Sequence, residues 1–325
     1  MARSLRMAFI GVGGNGRHHL RLLNSLREVK LVAIADTNQE NLRKAQAESA
    51  PKANLYADYR DLLRKEELDA VGISTPHTLH YEHVMASLRR GLHVLVEKPM
   101  VYETTHARRV VREAKTRGLV VTVAYQRHFQ PAFRWVRRRL ASGALGPVHF
   151  VSAVQSQGWY RGTRGSWRQD PSLSGGGQLW DSGSHLMDIV HWMTDLRPAE
   201  VFAFENKFDT RVDILDALSI RYRGGALASI GIVGHSVGWH EEIAIWCDNG
   251  ALLIREGNVH EMVQGRWAPI TEGLPPGTSP DEAFVKAVLH KGPNDSPPEC
   301  GLITTAISHA AQVSAQTGEP VKMRL

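Results

Sequence analysis

The chain has 325 residues, 42% of them hydrophobic and 22% charged, with a formal net charge of +6. That balance suits an ordinary globular protein of about two domains, at roughly 100–200 residues each, with a core large enough to need no covalent staples. It excludes a disulfide framework, because Cys247 and Cys300 form no CxxC pair, and it excludes a membrane-spanning helix, because no run approaches about 18 apolar residues.

The apolar stretch Met7-Ala8-Phe9-Ile10 is too short for the roughly 7–15-residue core of a secretory leader. A cytoplasmic, reducing setting with two inert thiols is expected. Through the first 125 residues, apolar runs at 8–10, 31–35, 70–74, 93–96 and 119–124 alternate with amphipathic stretches at 17–26, 39–49, 59–65, 81–90 and 105–116. Buried strands alternating with helices predict an α/β domain with a doubly wound parallel sheet over residues 1–125.

After Tyr125 the pattern changes. A helix is predicted over 131–140, a long strand over 147–154, a Gly/Trp/Arg-rich loop over 155–177 and a helix over 181–194. Strands follow at 201–206, 217–222, 226–233, 242–247 and 251–254. Gly224-Gly225 and Asn249-Gly250 each suit a two-residue hairpin with positive φ. Residues 126–325 are therefore expected to form an α+β domain around an antiparallel sheet. A Pro/Gly-rich loop over 292–298 precedes a final helix near 302–316, which is free to pack back on the first domain and which Gly318 is placed to stop. Arg134, Arg137, Arg138 and Arg139 crowd the 131–140 helix. With no nucleic-acid motif beside them they read as a solvated basic face, and a mild positive field would favour anionic cofactors.

Three motifs carry chemistry. Gly11-Val12-Gly13-Gly14-Asn15-Gly16 follows a strand and opens a helix. Gly11 permits a tight turn, Gly13 a close backbone approach to a pyrophosphate, and Gly16 close helix packing, while the helix N-terminus offers N–H groups to phosphate. Asp36, twenty positions after Gly16, suits a ribose diol and repels a 2′-phosphate. NAD is expected over NADP, with Arg17 and Arg43 the residues that could reverse the preference.

Lys98, in Glu97-Lys98-Pro99, lies just past the 93–96 strand, where ligands of open α/β sheets bind, and its ammonium could touch both the nicotinamide ribose and a reacting hydroxyl. In Gly175-Gly176-Gly177-Gln178-Leu179-Trp180-Asp181-Ser182-Gly183-Ser184-His185, Asp181 and His185 are four apart at a helix start and would share a face. The carboxylate could orient the imidazole as a general base, with Asp188 as a structural partner. A capping Asp and a core His are the bland alternative.

By these residues the chain resembles the glucose-fructose oxidoreductase / inositol dehydrogenase / rhizopine-catabolism family (Gfo/Idh/MocA). The match runs through residues 11–16, Asp36, Thr75-Pro76 with His80, Glu97-Lys98-Pro99, Arg127, Gly175-Gly176-Gly177 with Asp181, Gly183, His185 and Asp188, and Thr317-Gly318-Glu319-Pro320-Val321. The resemblance implies a Rossmann domain followed by an open, mostly antiparallel sheet, substrate in the cleft between them, and homodimers or homotetramers formed through that sheet. It implies a cis Lys98–Pro99 bond. It also places Thr75, Pro76, His80, Glu97, Lys98 and Gln126 at the cofactor, although Gln126 stands where many relatives carry Asn.

The expected activity is NAD(P)-dependent dehydrogenation of a sugar, polyol or sugar derivative. His185 takes the hydroxyl proton, Lys98 stabilises the alkoxide and Asp181 holds the base. Tyr160, Trp167 and Arg168, near Trp159 and Arg161, are candidates to bind the substrate, with structural packing the competing role for any one Trp. His235, Trp239 and His240 are weaker candidates. His77, His80 and His83 are three apart, unlike the i, i+4 pairs of zinc helices, and no metal is expected. Two other functions fit the same residues: a redox glycosidase that oxidises transiently and eliminates, or a non-catalytic nucleotide sensor. No nucleic-acid or membrane partner is expected.

Overall fold

A computed structural model of the chain describes residues 4–290 and 292–324. The chain divides into two compact units, one of Met1–Gln126 with Thr278–Leu302, the other of Arg127–Gly277 with Ile303–Leu325.

In the first unit, strands and helices alternate: β1 (Leu5–Ile10), α1 (Gly14–Asn24), β2 (Val29–Ala35), α2 (Gln39–Ser49), β3 (Asn54–Tyr56), α3 (Tyr59–Lys65), β4 (Ala70–Ile73), α4 (His80–Arg89), β5 (His93–Val96), α5 (Thr104–Arg117) and β6 (Val121–Val123). The six strands form a parallel sheet in the order β3-β2-β1-β4-β5-β6. Alternate residues of β1 serve opposite cores. Met7 and Phe9 join Leu20, Leu23 and Leu42 of α1 and α2, while Ala8 and Ile10 join Val84 and Val110 of α4 and α5. Burial on both faces explains why β1, β4, β5 and β6 are apolar at nearly every position, whereas β3 at the sheet edge is largely exposed and was not marked by the sequence. The strand order reverses between β1 and β4, the position at which open α/β sheets bind ligands.

The sequence reading drew one boundary near residue 125 and left the final helix free to join the first domain. The first turn of that helix lies in the first unit, and so does a helix that the sequence did not mark. α10 (Pro280–His290) places Phe284 and Val285 in the core of the first unit, and the Asn294 side chain donates to the Val121 carbonyl at 2.7 Å. α11 (Pro298–Thr317) crosses the boundary at Leu302, and its Ile307, Ala310 and Ala311 belong to the core of the second unit. Gly318, with φ +72°, ends it as expected.

The second unit contains α6 (Pro131–Ala141), β7 (Val148–Ser156), the short helices α7 (Trp159–Gly162) and α8 (Pro171–Ser174), and α9 (Gly183–Thr194). It continues with β8 (Pro198–Asn206), β9 (Leu215–Tyr222), β10 (Leu227–Val233), β11 (His240–Cys247), β12 (Gly250–Arg255), β13 (Asn258–Val263), β14 (Arg266–Pro269) and, after α11, β15 (Val321–Lys322). The strand order is β14-β13-β12-β11-β7-β10-β9-β8-β15. Every neighbouring pair is antiparallel except β7 with β10. The exception arises because β7 inserts between two strands that come much later in the chain, a choice that strand periodicity does not encode. One face of the sheet packs on α6, α9 and α11 through residues such as Val151, Ile230 and Ile245.

Two local expectations change. Gly224 and Gly225 have φ of +91° and +96° and close the β9–β10 hairpin, but Cys247 pairs with Gly250, so the next loop is Asp248-Asn249 without positive φ. The arginines of α6 are largely spoken for. Arg134 donates to the His128 carbonyl, Arg137 bonds the Trp192 carbonyl and lies over its ring, and Arg139 forks onto Glu261 at 2.6 and 3.1 Å. Arg138 alone of the four is exposed. The basic cluster is mostly internal pairing rather than a solvated face.

Candidate active site

The first unit gathers its motif residues along one edge of the sheet. Ala35 of β2 pairs with Ile10 of β1, Ile10 with Ile73 of β4, and Ile73 with Val96 of β5. The residues that follow this aligned row are Asp36, Gly11, Ser74 and Glu97, all at carboxyl ends of parallel strands. Gly11 has φ +84°, and a Cβ there would lie 2.5 Å from the Ser74 carbonyl oxygen. A Cβ on Gly16 would lie 2.1 Å from the Gly11 oxygen, so helix α1 can start this close to β1 only with glycine there. At Gly13 and Gly14 a Cβ would meet nothing within 4 Å, and Gly14 and Asn15 are exposed. The Asp36 carboxylate accepts from the Val12 N–H at 2.9 Å and the Asn38 N–H at 2.8 Å, which holds it against the glycine loop. Arg17 is engaged by Glu48 at 3.3 Å.

Thr75 and Pro76 follow β4. The fully buried His80 ring touches two carbonyl oxygens, of Thr75 and Pro99, each at 2.8 Å. Burial lowers its pKa, and the two carbonyls push the other way. His83 approaches the Thr75 hydroxyl at 3.1 Å and burial brings its pKa down to about 4. The Lys98–Pro99 peptide is cis, as the resemblance implied. The Glu97 carboxylate accepts the Lys98 N–H at 3.0 Å and stands 2.9 Å from His19 on α1, whose other ring nitrogen is 2.8 Å from Asp281 on α10. The sequence reading missed His19 and Asp281. They are 262 positions apart, and no local pattern links them. Gln126 is exposed at the head of a 3-10 turn, Gln126–Phe129.

In the second unit, α9 starts at Gly183 with Ser182 as its N-cap. Asp181 therefore lies just before the helix. Its buried Oδ2 accepts from the Trp159 indole at 2.8 Å and from Arg168 Nε at 2.9 Å. Local turn bonds win here: Asp181 N–H donates to the Gly177 carbonyl and Gly183 N–H to that of Gln178, and these bonds shape a turn before the helix can begin. His185 is half-buried in the first turn of α9. Asp188, one turn on, bonds His128 at 2.6 Å in the interior, and burial raises its pKa. Arg127, the other motif residue nearby, pairs with Glu241 of β11 in a buried ion pair.

The aromatic segment is partly used for packing. Trp159 is buried with Val212 and Ile214. Tyr160 bonds Asp209 and stacks on His235 with ring centres 4.9 Å apart. Arg168 lies over the Trp167 ring at 4.7 Å while bonding Asp181. His240 pairs with Glu256 at 3.1 Å, and Trp239 is exposed. Burial pushes the Cys247 thiol up to about 11.

Two family models match the chain. One, described as an oxidoreductase family with an NAD-binding Rossmann fold, covers residues 5–125, and the other, the GFO/IDH/MocA C-terminal domain, covers residues 133–253. The 1-carboxy-3-chloro-3,4-dihydroxycyclohexa-1,5-diene dehydrogenase of Comamonas testosteroni is 27% identical over 73% of this chain and 60% of its own length. The D-glucoside 3-dehydrogenase of Escherichia coli strain K12 is 28% identical over 58% of this chain and 54% of its own length. The match thus spans little more than half of either relative. Among solved structures, GenD2 from gentamicin A biosynthesis in complex with NAD superposes with a TM-score of 0.86 at 22% identity, covering 100% of this chain and 98% of that one. A levoglucosan dehydrogenase in complex with NADH and levoglucosan gives 0.86 at 20% identity, covering 99% and 100%. At these identities the structures show the shared fold. Among the described residues, no helix is long and apolar enough to cross a membrane.

Proposed function

Because the chain belongs to the Gfo/Idh/MocA oxidoreductase family, we propose that it oxidises a hydroxyl-bearing carbon of a sugar, polyol or sugar derivative, with NAD as the preferred cofactor. The first unit is an NAD-binding Rossmann domain of that family. The observation that carries the reading is the aligned row Ala35–Ile10–Ile73–Val96, which brings the glycine loop, Asp36, Thr75 and Lys98 to one sheet edge. The residues fit a dinucleotide. The glycine loop is packed tightly on the protein at Gly11 and Gly16, leaves open space at Gly13 and Gly14 where phosphates would lie, and has the Asp36 carboxylate beside it. Bound there, NAD supplies a hydride acceptor.

The chain's own groups do the remaining work. The Lys98 ammonium stabilises negative charge as the substrate hydroxyl loses its proton. His185 accepts that proton, and Asp181, gripped by Trp159 and Arg168, supplies a fixed carboxylate at the head of the same segment. Tyr160, Trp167 and Arg168 provide aromatic faces and a planar cation suited to sugar C–H faces and hydroxyls. A reducing cytoplasmic setting, in keeping with only two cysteines and no CxxC pair, is part of the same reading.

A homodimer or homotetramer is also proposed, on the open sheet face. Leu227 pairs with Phe150 and Phe150 with Trp246 across three neighbouring strands. Together with Phe204, these side chains are 36–67% exposed. An exposed apolar row of this kind suits an association surface, and a second copy satisfies it isologously. Light scattering in solution tests it, and a monomer at working concentration would reject it.

The test of the activity is a panel of sugars, inositols and anhydrosugars with NAD and NADP, read as absorbance of the reduced nucleotide. Reduction with at least one panel member, faster with NAD, is expected. No reduction with any of them rejects the reading.

A further inference from the structure

Three consecutive backbone N–H groups end on one residue. Gly177 donates to Asp213 Oδ1 and Leu179 to Asp213 Oδ2, both at 2.7 Å, and Gln178 donates to the Asp213 carbonyl oxygen at 2.9 Å. The contact is so close that a Cβ on Gly177 would lie 1.9 Å from that carbonyl oxygen. It accounts for part of the triple glycine: Gly175 has φ +77°, Gly176 is filled by the Trp180 ring, and Gly177 is filled by Asp213.

We propose that Asp213 is the positioning residue of the reacting turn: by accepting the Gly177 and Leu179 N–H groups it fixes residues 177–181, and thereby the presentation of Asp181 and His185. The turn hands this order on. Asp181 N–H donates to the Gly177 carbonyl at 3.0 Å, Gly183 N–H to the Gln178 carbonyl at 2.8 Å, and the Ser184 hydroxyl to the Asp181 carbonyl at 2.7 Å, where α9 begins. Asp213 itself stands in a fixed frame, since its neighbour Ile214 donates to Asn206 at 2.9 Å and accepts from Gly234 at 2.8 Å. Gln178, Leu179 and Asp213 are at most 5% exposed, so N–H groups deprived of this acceptor would find little water in exchange.

A second buried acid supports the arrangement. Burial, and Asp213 beside it, hold the Asp216 carboxyl well above the usual range. Burial also raises the pKa of Asp213, and the Leu179 and Gly177 N–H groups pull it back toward the charged form. Glu205 on β8 and Lys207 are the other charged groups facing Asp216.

This inference rests on the proposed roles of Asp181 and His185, so its test has an arm that needs no activity. In Asp213→Asn, one of the two N–H groups meets an amide NH2 instead of an oxygen. Hydrogen exchange of the peptide over residues 176–183 is expected to accelerate about tenfold while the rest of the second unit keeps its protection. With the best panel substrate, kcat is expected to fall about 100-fold, the cost of a small misplacement of reacting groups, with KM and NAD affinity near their wild-type values. Wild-type exchange in this variant overturns the proposal, as does wild-type kcat. If Asp213→Asn does not fold, Asp216→Leu, which removes the buried acid beside Asp213, is expected to give the same pattern at lower amplitude, and wild-type exchange and kcat there overturn it equally. A wild-type protein that reduces no nucleotide rejects the functional reading instead, and the exchange arm still decides whether Asp213 holds the turn.

Discussion

His19 Nε2 on α1 lies 2.9 Å from Glu97 Oε1 at the end of β5, so the helix that follows the glycine loop is tied directly to the residue before Lys98. Asp281 grips the other ring nitrogen at 2.8 Å. Burial alone would lower this imidazole's pKa, yet the two carboxylates push it up to about 10. His19 is a standing cation between two anions, and Glu97, held by it, accepts the Lys98 N–H.

A pH dependence follows from that clamp. The folded pKa lies above the unfolded value, so the stabilisation is complete below pH 6.5 and is lost as pH rises from there through about 10. The urea midpoint of the wild type is expected to fall across this window, and in His19→Gln that part of the fall should vanish. Equal slopes in the two proteins would show that the clamp contributes nothing.

Asp36 should govern nucleotide choice. Its carboxylate stands against the glycine loop through Val12. Asp36→Ala is expected to weaken NAD binding and to shift the NAD/NADP ratio of kcat/KM toward NADP by about tenfold or more, the effect of removing one charge repulsion. An unchanged ratio counts against a ribose role.

The glycines of the loop are not equivalent. Gly16→Ala places a methyl 2.1 Å from the Gly11 oxygen and is expected to destabilise the first unit by about 3 kcal/mol or more. Gly14→Ala meets nothing within 4 Å and is expected to change stability by less than about 1 kcal/mol. Thermal unfolding of the two variants side by side checks the contrast.

Arg168 should matter through Asp181. Its Nε is 2.9 Å from a carboxylate whose side chain is only 7% exposed. Arg168→Met removes the cation facing a buried anion and is expected to cost about 1–3 kcal/mol and to lower kcat, with nucleotide affinity unchanged. Urea unfolding, turnover and an NAD titration measure the three quantities.

What was legible in the sequence was what local pattern encodes. Apolar runs buried on both faces made five of the first six strands readable, while β3, short and largely exposed, left no such run, and the spacing from Gly11 to Asp36 located the nucleotide loop. Contacts between distant residues were not legible. His19 and Asp281, or Gly177 and Asp213, become neighbours only through topology. The parallel β7–β10 pair depends on which strand takes the centre of the sheet. Asp181 was read as a helical residue because a turn stabilised by Asp213 leaves no periodic trace. The α6 arginines looked solvated because Glu261 and Trp192, their partners, lie far along the chain.

In the proposed mechanism Lys98 and His185 serve one step, the loss of the substrate's hydroxyl proton. Turnover of Lys98→Ala, His185→Ala and the double variant, measured with the best panel substrate and saturating NAD, tests it most directly. Each single variant is expected to lose about 1,000-fold or more in kcat while still binding NAD, and the double variant to be little slower than the worse single one, as groups serving one step behave. Full turnover in either single variant, or losses that simply multiply in the double, would contradict it.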